Sequence, residues 1–205
     1  MVKKRGETSY KQTSFGIIPR SKLILLEIEG IKRAWDFVIK NIGKKELLVT
    51  PELIKKLHKI GFKWIFPEFG GRFRKIEVII SGKNPPAFYE IPQLIEDYCQ
   101  DLSIRLKNLP SVDNVEFVEE IISFLAWVHQ RFLQIHPFQD YNGRIARLLI
   151  NVILLNLKLP PIELKIETEK TRKKYIEALQ QADDGNYNQL EKIIREALEE
   201  SLEAV

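Results

Sequence analysis

Ile135-His136-Pro137-Phe138-Gln139-Asp140-Tyr141-Asn142-Gly143-Arg144-Ile145-Ala146-Arg147 is the stretch on which the fold turns. Proline disfavours the helical conformation in the residue before it. A helix arriving over 115–134 is therefore expected to stop ahead of His136-Pro137. Asp140 to Gly143 is turn chemistry. Ile145, Leu148, Leu149, Val152 and Leu155 then open an apolar stripe, predicting a helix over 143–157. A His, an Asp and an Asn thus lie on a loop entering a helix N-terminus, where unpaired N–H groups and the helix dipole attract anions. Arg144 and Arg147 share one face. Cations there oppose the dipole, and an anion between dipole and guanidinium groups resolves the conflict. The planar fork of Arg suits phosphate. Asp140 beside phosphates suits Mg²⁺, which takes one or two carboxylates plus phosphate oxygens. His136, nearest neutrality in its ordinary pKa, is the candidate general base. Singly, each residue fits a structural role; together within twelve positions they point to an anion site.

The rest of the chain is mostly helical in pattern. Apolar positions from Leu23 to Val38 follow helical spacing after Ser21, and the helix is expected to stop near Gly43. Thr50-Pro51-Glu52 starts a second helix, with Thr50 as cap and Pro51 where a missing N–H is harmless. Arg72 to Ile80 is rich in β-branched residues and predicts a strand, paired back by 87–90 across the Gly82 to Pro86 turn. Further helices are expected over 92–108, 168–183 and 187–203. Residues 1–20 read as a flexible basic arm, 21–43 as a separate N-terminal helix and 44–205 as the main domain.

Composition bounds the function. The 205 residues carry 32 basic and 28 acidic side chains, a net +4, so nucleic acid is disfavoured as a partner. No apolar run is long enough to cross a membrane. The single cysteine, Cys99, excludes an internal disulfide, and the expected compartment is a reducing cytoplasm. Glycine-rich nucleotide loops, H-E-x-x-H and G-x-S-x-G are absent. His129 reads as core-facing, and His58 as surface or satisfied core.

At this point the motif loop resembles the signature of the Fic (filamentation induced by cAMP) family, H-P-F-x-[DE]-G-N-G-R-x-x-R, matching eight of its nine specified positions. Gly71-Arg72-Phe73-Arg74 resembles the family's G-x-[YF]-R, and Tyr175 begins a segment similar to its closing Y-x-x-A-L helix. The resemblance implies an all-α Fic-type bundle with a small β-hairpin flap. It implies a protein adenylyltransferase that moves AMP from ATP to a Ser, Thr or Tyr hydroxyl. His136 would be the base and Asp140 the Mg²⁺ ligand. Asn142 and Gly143 would cradle the α-phosphate, while Arg144 and Arg147 would hold the β- and γ-phosphates. Ile76, Val78 and Ile80 would form the flap that docks the target by strand addition. The target protein is unnamed, and a homodimer or self-modification stays open. Tyr141 departs from the family's Gly. Glu29-Gly30 resembles the end of the family's inhibitory [ST]-x-x-x-E-[GN] helix, making Glu29 the expected partner of Arg147, with Glu27 as the acid in a shifted register. The alternatives are another Fic-type phosphoryl or nucleotidyl transfer, or a non-enzymatic module that binds an anion or nucleic acid.

Overall fold

A computed structural model describes residues 10–44, 46–80 and 82–204. Its elements run β1 (Tyr10–Thr13), β2 (Gly16–Pro19), α1 (Arg20–Ile42), α2 (Pro51–Phe62), α3 (Ile91–Lys107), α4 (Phe117–Ile135), α5 (Asn142–Asn156), α6 (Glu169–Asp183) and α7 (Asn188–Glu203). Among the described residues the fold is an all-α bundle with one small hairpin. The central helix is α4, which buries most of its residues from Phe117 through Ile135 against α3, α5, α6 and α7, and leaves Glu120, Ser123 and Gln134 on a narrow exposed stripe. A helix apolar over so much of its surface belongs in the core. The Thr50 hydroxyl caps α2 by accepting from Leu53 N–H at 3.2 Å, and Pro51 follows it. Helix α1 crosses α2 and also touches α5. At the α1–α2 crossing, a side-chain carbon on Gly30 would lie 2.1 Å from the Gly61 carbonyl oxygen. Gly30 is therefore fixed by close helix contact.

Two expectations about β structure are corrected. Residues 1–9 of the predicted arm lie outside the described residues. The remainder of that arm forms the β1–β2 hairpin, with Thr13 opposite Gly16. The Thr13 hydroxyl accepts from Phe15 N–H and donates to the Gly16 carbonyl, closing a two-residue turn, and Gly16 sits at φ +83. The tip is seated by Ser14 N–H on the Ile65 carbonyl at 2.9 Å. The predicted 72–80 strand, by contrast, finds no strand partner. Its amide at Arg74 donates to the Pro137 carbonyl of the motif loop, and only an isolated bridge joins Ile80 to Lys83. Residues 87–90 form a turn instead, because the Glu90 carboxylate accepts from Ala87 N–H and leads directly into α3.

Candidate active site

The loop between α4 and α5 is built around two left-handed residues. His136 ends α4 at φ 51, and Tyr141 precedes α5 at φ 66. A non-glycine residue held there stores about 1–2 kcal/mol, so neighbouring contacts must hold the conformation. Phe138 is fully buried and stacks on the His58 ring at 3.8 Å. His58 Nδ1 accepts from Gly71 N–H at 2.8 Å, which puts its proton on Nε2, facing the Asp140 carbonyl at 3.1 Å. Burial drives the His58 pKa down to about 4, so it stays neutral. His58 is thus a buried clamp on the loop.

The Asn142 side chain is turned into the loop. Its side-chain oxygen accepts from Phe138 N–H and its amide donates to the Phe138 carbonyl, at 2.9 and 2.8 Å. It is buried and closes the loop on itself, so its side chain is committed to the loop and not to a cradle. The anion-binding capacity lies in the backbone. Arg144 and Ile145 N–H both donate to the Tyr141 carbonyl, leaving the Asn142 and Gly143 amides without a partner among the described residues.

His136 is half-buried, with Nδ1 3.4 Å from the Leu133 carbonyl, which leaves Nε2 with a free lone pair. Burial lowers its pKa, the Leu133 bond opposes this, and the Arg74 charge lowers it further. The ring is therefore a neutral base at pH 7. Arg74 is the residue that sequence reasoning quoted without giving it a task. Its side chain is fully buried. Nε donates to the His136 carbonyl at 2.9 Å, and the two terminal nitrogens donate to the carbonyls of Ile76 and Pro86. One guanidinium thus ties the His136 backbone to the 76–86 segment. Ile76 and Ile80 of that segment are exposed and Val78 is half-buried.

Asp140 is 41% exposed, its Oδ1 accepts from Tyr141 N–H at 2.8 Å and its Oδ2 pairs with Lys11 Nζ at 2.6 Å. No cluster of three metal-ligating side chains exists among the described residues. A lone exposed carboxylate fits a Mg²⁺ that arrives on phosphates, rather than one held in an all-protein cage.

The acid that meets Arg144 is Glu27 and not Glu29. Glu29 is half-exposed and pairs with Arg33 at 2.9 Å along its own helix. Two residues on, a helix has turned about 200°, so both acids cannot face α5. Glu27 has no exposure and three partners: Arg144 at 2.7 Å, Arg20 at 2.5 Å and the Tyr141 hydroxyl at 2.8 Å. Tyr141 stacks on Phe62 at 4.0 Å, and burial and then the Glu27 charge hold its phenol protonated, so it donates. Burial likewise lowers the Arg144 pKa, which Glu27 counteracts. Arg147 instead lies near Tyr175 and His129, whose hydroxyl and Nε2 meet at 2.6 Å. Arg144 and Arg147 border a groove of about 820 Å³ lined also by Ile28, Trp35 and Leu164.

A model of the Fic/DOC family matches residues 48–154. Curated relatives named protein adenylyltransferase Fic include one from Culex quinquefasciatus, 28% identical over 86% of this chain and 33% of its own. Another, from Nematostella vectensis, is 28% identical over 94% of this chain and 42% of its own. The chain therefore spans about a third of the first such relatives' length. Among solved structures, Fic-1 from C. elegans superposes with TM-score 0.68 at 24% identity, covering 87% of this chain and 49% of that one. BepC from Bartonella tribocorum, solved with bound AMPPNP, has TM-score 0.63 at 16% identity over 94% and 93%.

Proposed function

Because this chain belongs to the Fic/DOC family, we propose that it is a protein adenylyltransferase transferring AMP from ATP to a Ser, Thr or Tyr hydroxyl of a target protein. The observation that carries the reading is a neutral, half-buried His136 with a free Nε2 on the loop that leads into an α5 N-terminus whose Asn142 and Gly143 amides have no partner among the described residues. A module that merely bound an anion would need the amides and the arginines but no base. The relatives named adenylyltransferase and the AMPPNP held by BepC support the same reading.

In this mechanism His136 Nε2 removes the proton of the target hydroxyl. The oxygen forms a bond to the α-phosphorus, the bond from that phosphorus to the bridging oxygen breaks, and pyrophosphate leaves. The Asn142 and Gly143 amides stabilise the charge that develops on the α-phosphate, where preorganised donors act best. Asp140 would hold Mg²⁺ on the phosphates, and the ion when bound would neutralise their charge. Arg144 and Arg147 hold the leaving pyrophosphate by their planar forks. Arg74 is a positioning residue for His136. The exposed edge at Ile76 and Ile80, with the half-buried Val78, offers backbone to an extended target segment. Glu27 occupies Arg144 as a phosphate would, which supports reading this arrangement as a restrained form of the enzyme. Incubation with ATP and Mg²⁺ should add an AMP mass to a protein hydroxyl and release pyrophosphate. Pyrophosphate-free addition of a single phosphate would replace this reading with a kinase.

A further inference from the structure

Both oxygens of the Asp140 carboxylate are already engaged. Oδ1 accepts from Tyr141 N–H, which fixes the carboxylate plane against the start of α5. Oδ2, the oxygen that no backbone amide holds, carries the Lys11 ammonium at 2.6 Å. Lys11 comes from β1, 129 residues away in sequence. Its Nζ also lies about 6 Å over the rings of Phe66 and Tyr141, at 6.0 and 5.9 Å. The hairpin that delivers it is seated at its tip, where Ser14 bonds the Ile65 and Trp64 carbonyls and Phe15 meets the Trp64 ring edge-on at 5.7 Å. Four residues past Gly16, the same segment supplies Arg20 to Glu27. One short stretch of chain thus sends a cation to each of the two acids of the site.

Two cations cannot share one carboxylate oxygen without strong repulsion, and a Mg²⁺ needs that oxygen at about 2.0–2.1 Å. Resting on the adenylylation reading of the site, we propose that Lys11 is a built-in competitor of the metal: its ammonium neutralises Asp140 in the resting state and is displaced when Mg²⁺ arrives on the nucleotide. The pair is about two-fifths exposed on each side. Exposed pairs are weak, so the competition is mild and reversible, a tuning of metal affinity rather than a block. The flexible stem of Lys11 lets the ammonium swing away while the hairpin tip stays seated.

The test is calorimetric titration with Mg²⁺ and AMPPNP of the wild-type chain, Lys11→Met and Lys22→Met. Lys22 is exposed on α1 and controls for the loss of one positive charge. Lys11→Met should bind the metal–nucleotide about three- to fivefold more tightly, with Lys22→Met near the wild type. Equal or weaker binding by Lys11→Met overturns the competitor role, and weaker binding would make Lys11 a phosphate ligand instead. No binding in any of the three proteins overturns the adenylylation reading itself, and the competitor role with it. A second measurement needs no variant. Limiting acetic anhydride should acetylate Lys11 faster when Mg²⁺ and AMPPNP are added, as read by mass spectrometry. An unchanged rate contradicts displacement.

Discussion

At the scale of single residues, the site depends on two side chains held where glycine would be easier. His136 and Tyr141 both sit at positive φ. The conformation of His136 lets its carbonyl reach Arg74 while its ring keeps a free nitrogen. Burial and Arg74 lower its pKa, so the transfer rate should hold as pH falls past the ordinary histidine value and decline only below it. In Arg74→Gln, the acid limb of the pH–kcat profile should move up and kcat should drop, since charge and positioning are lost together. An unmoved limb with lowered kcat would leave Arg74 only a structural part. Tyr141 is the residue whose role sequence could not supply. Its ring is buried on Phe62 and its hydroxyl bonds Glu27. Tyr141→Phe should lower stability by about 1.5–3 kcal/mol, the worth of a hydrogen bond to a buried charge, as read by urea denaturation.

At the scale of elements, the regulatory claim concerns α1. Its acid at position 27 reaches α5, while the acid at position 29 lies along the opposite side. Glu27→Gln frees Arg144 of its ion pair, and labelling should rise severalfold while stability falls by about 1–3 kcal/mol. Glu29→Gln should change neither, and a rise in labelling with Glu29→Gln alone would reinstate it as the restraint. The helices were legible because caps, Pro51 and apolar stripes act locally: all seven fall within a few residues of the reading. The choice between Glu27 and Glu29 was not legible, since it depends on the rotation of α1 about the Gly30–Gly61 contact. The 72–80 segment has strand-like composition, but Arg74 commits its backbone to the motif loop. The 10–19 hairpin was hidden by polar residues and by docking on the Ile65 turn, a contact 51 residues away. Asn142 matched a family motif, yet only packing reveals that its amide is consumed by Phe138.

At the scale of the molecule, two neutral histidines lie in the core that supports the loop. His58 and His129 have no exposure, and burial drives their pKa values down to about 4 and about 3. Unfolded, each would take a proton near pH 6.5. Between that value and the folded pKa the unfolded chain binds more protons, so stability is full above pH 6.5 and is lost as pH falls toward 4. For His58 alone the loss is roughly 3 kcal/mol. Urea midpoints at pH 7 and pH 4.5 should differ accordingly, and His58→Gln should narrow the gap. The same core that keeps these rings neutral holds α4, the loop and α5 in one frame, so the base, the free amides and the arginines are presented together. The most direct test of that presentation is labelling of the Glu27→Gln chain with α-labelled ATP and Mg²⁺, with and without the added substitution His136→Ala. Protein-bound label that disappears with His136→Ala is the predicted result; label that survives it, or that comes only from γ-labelled ATP, would contradict adenylyl transfer by His136.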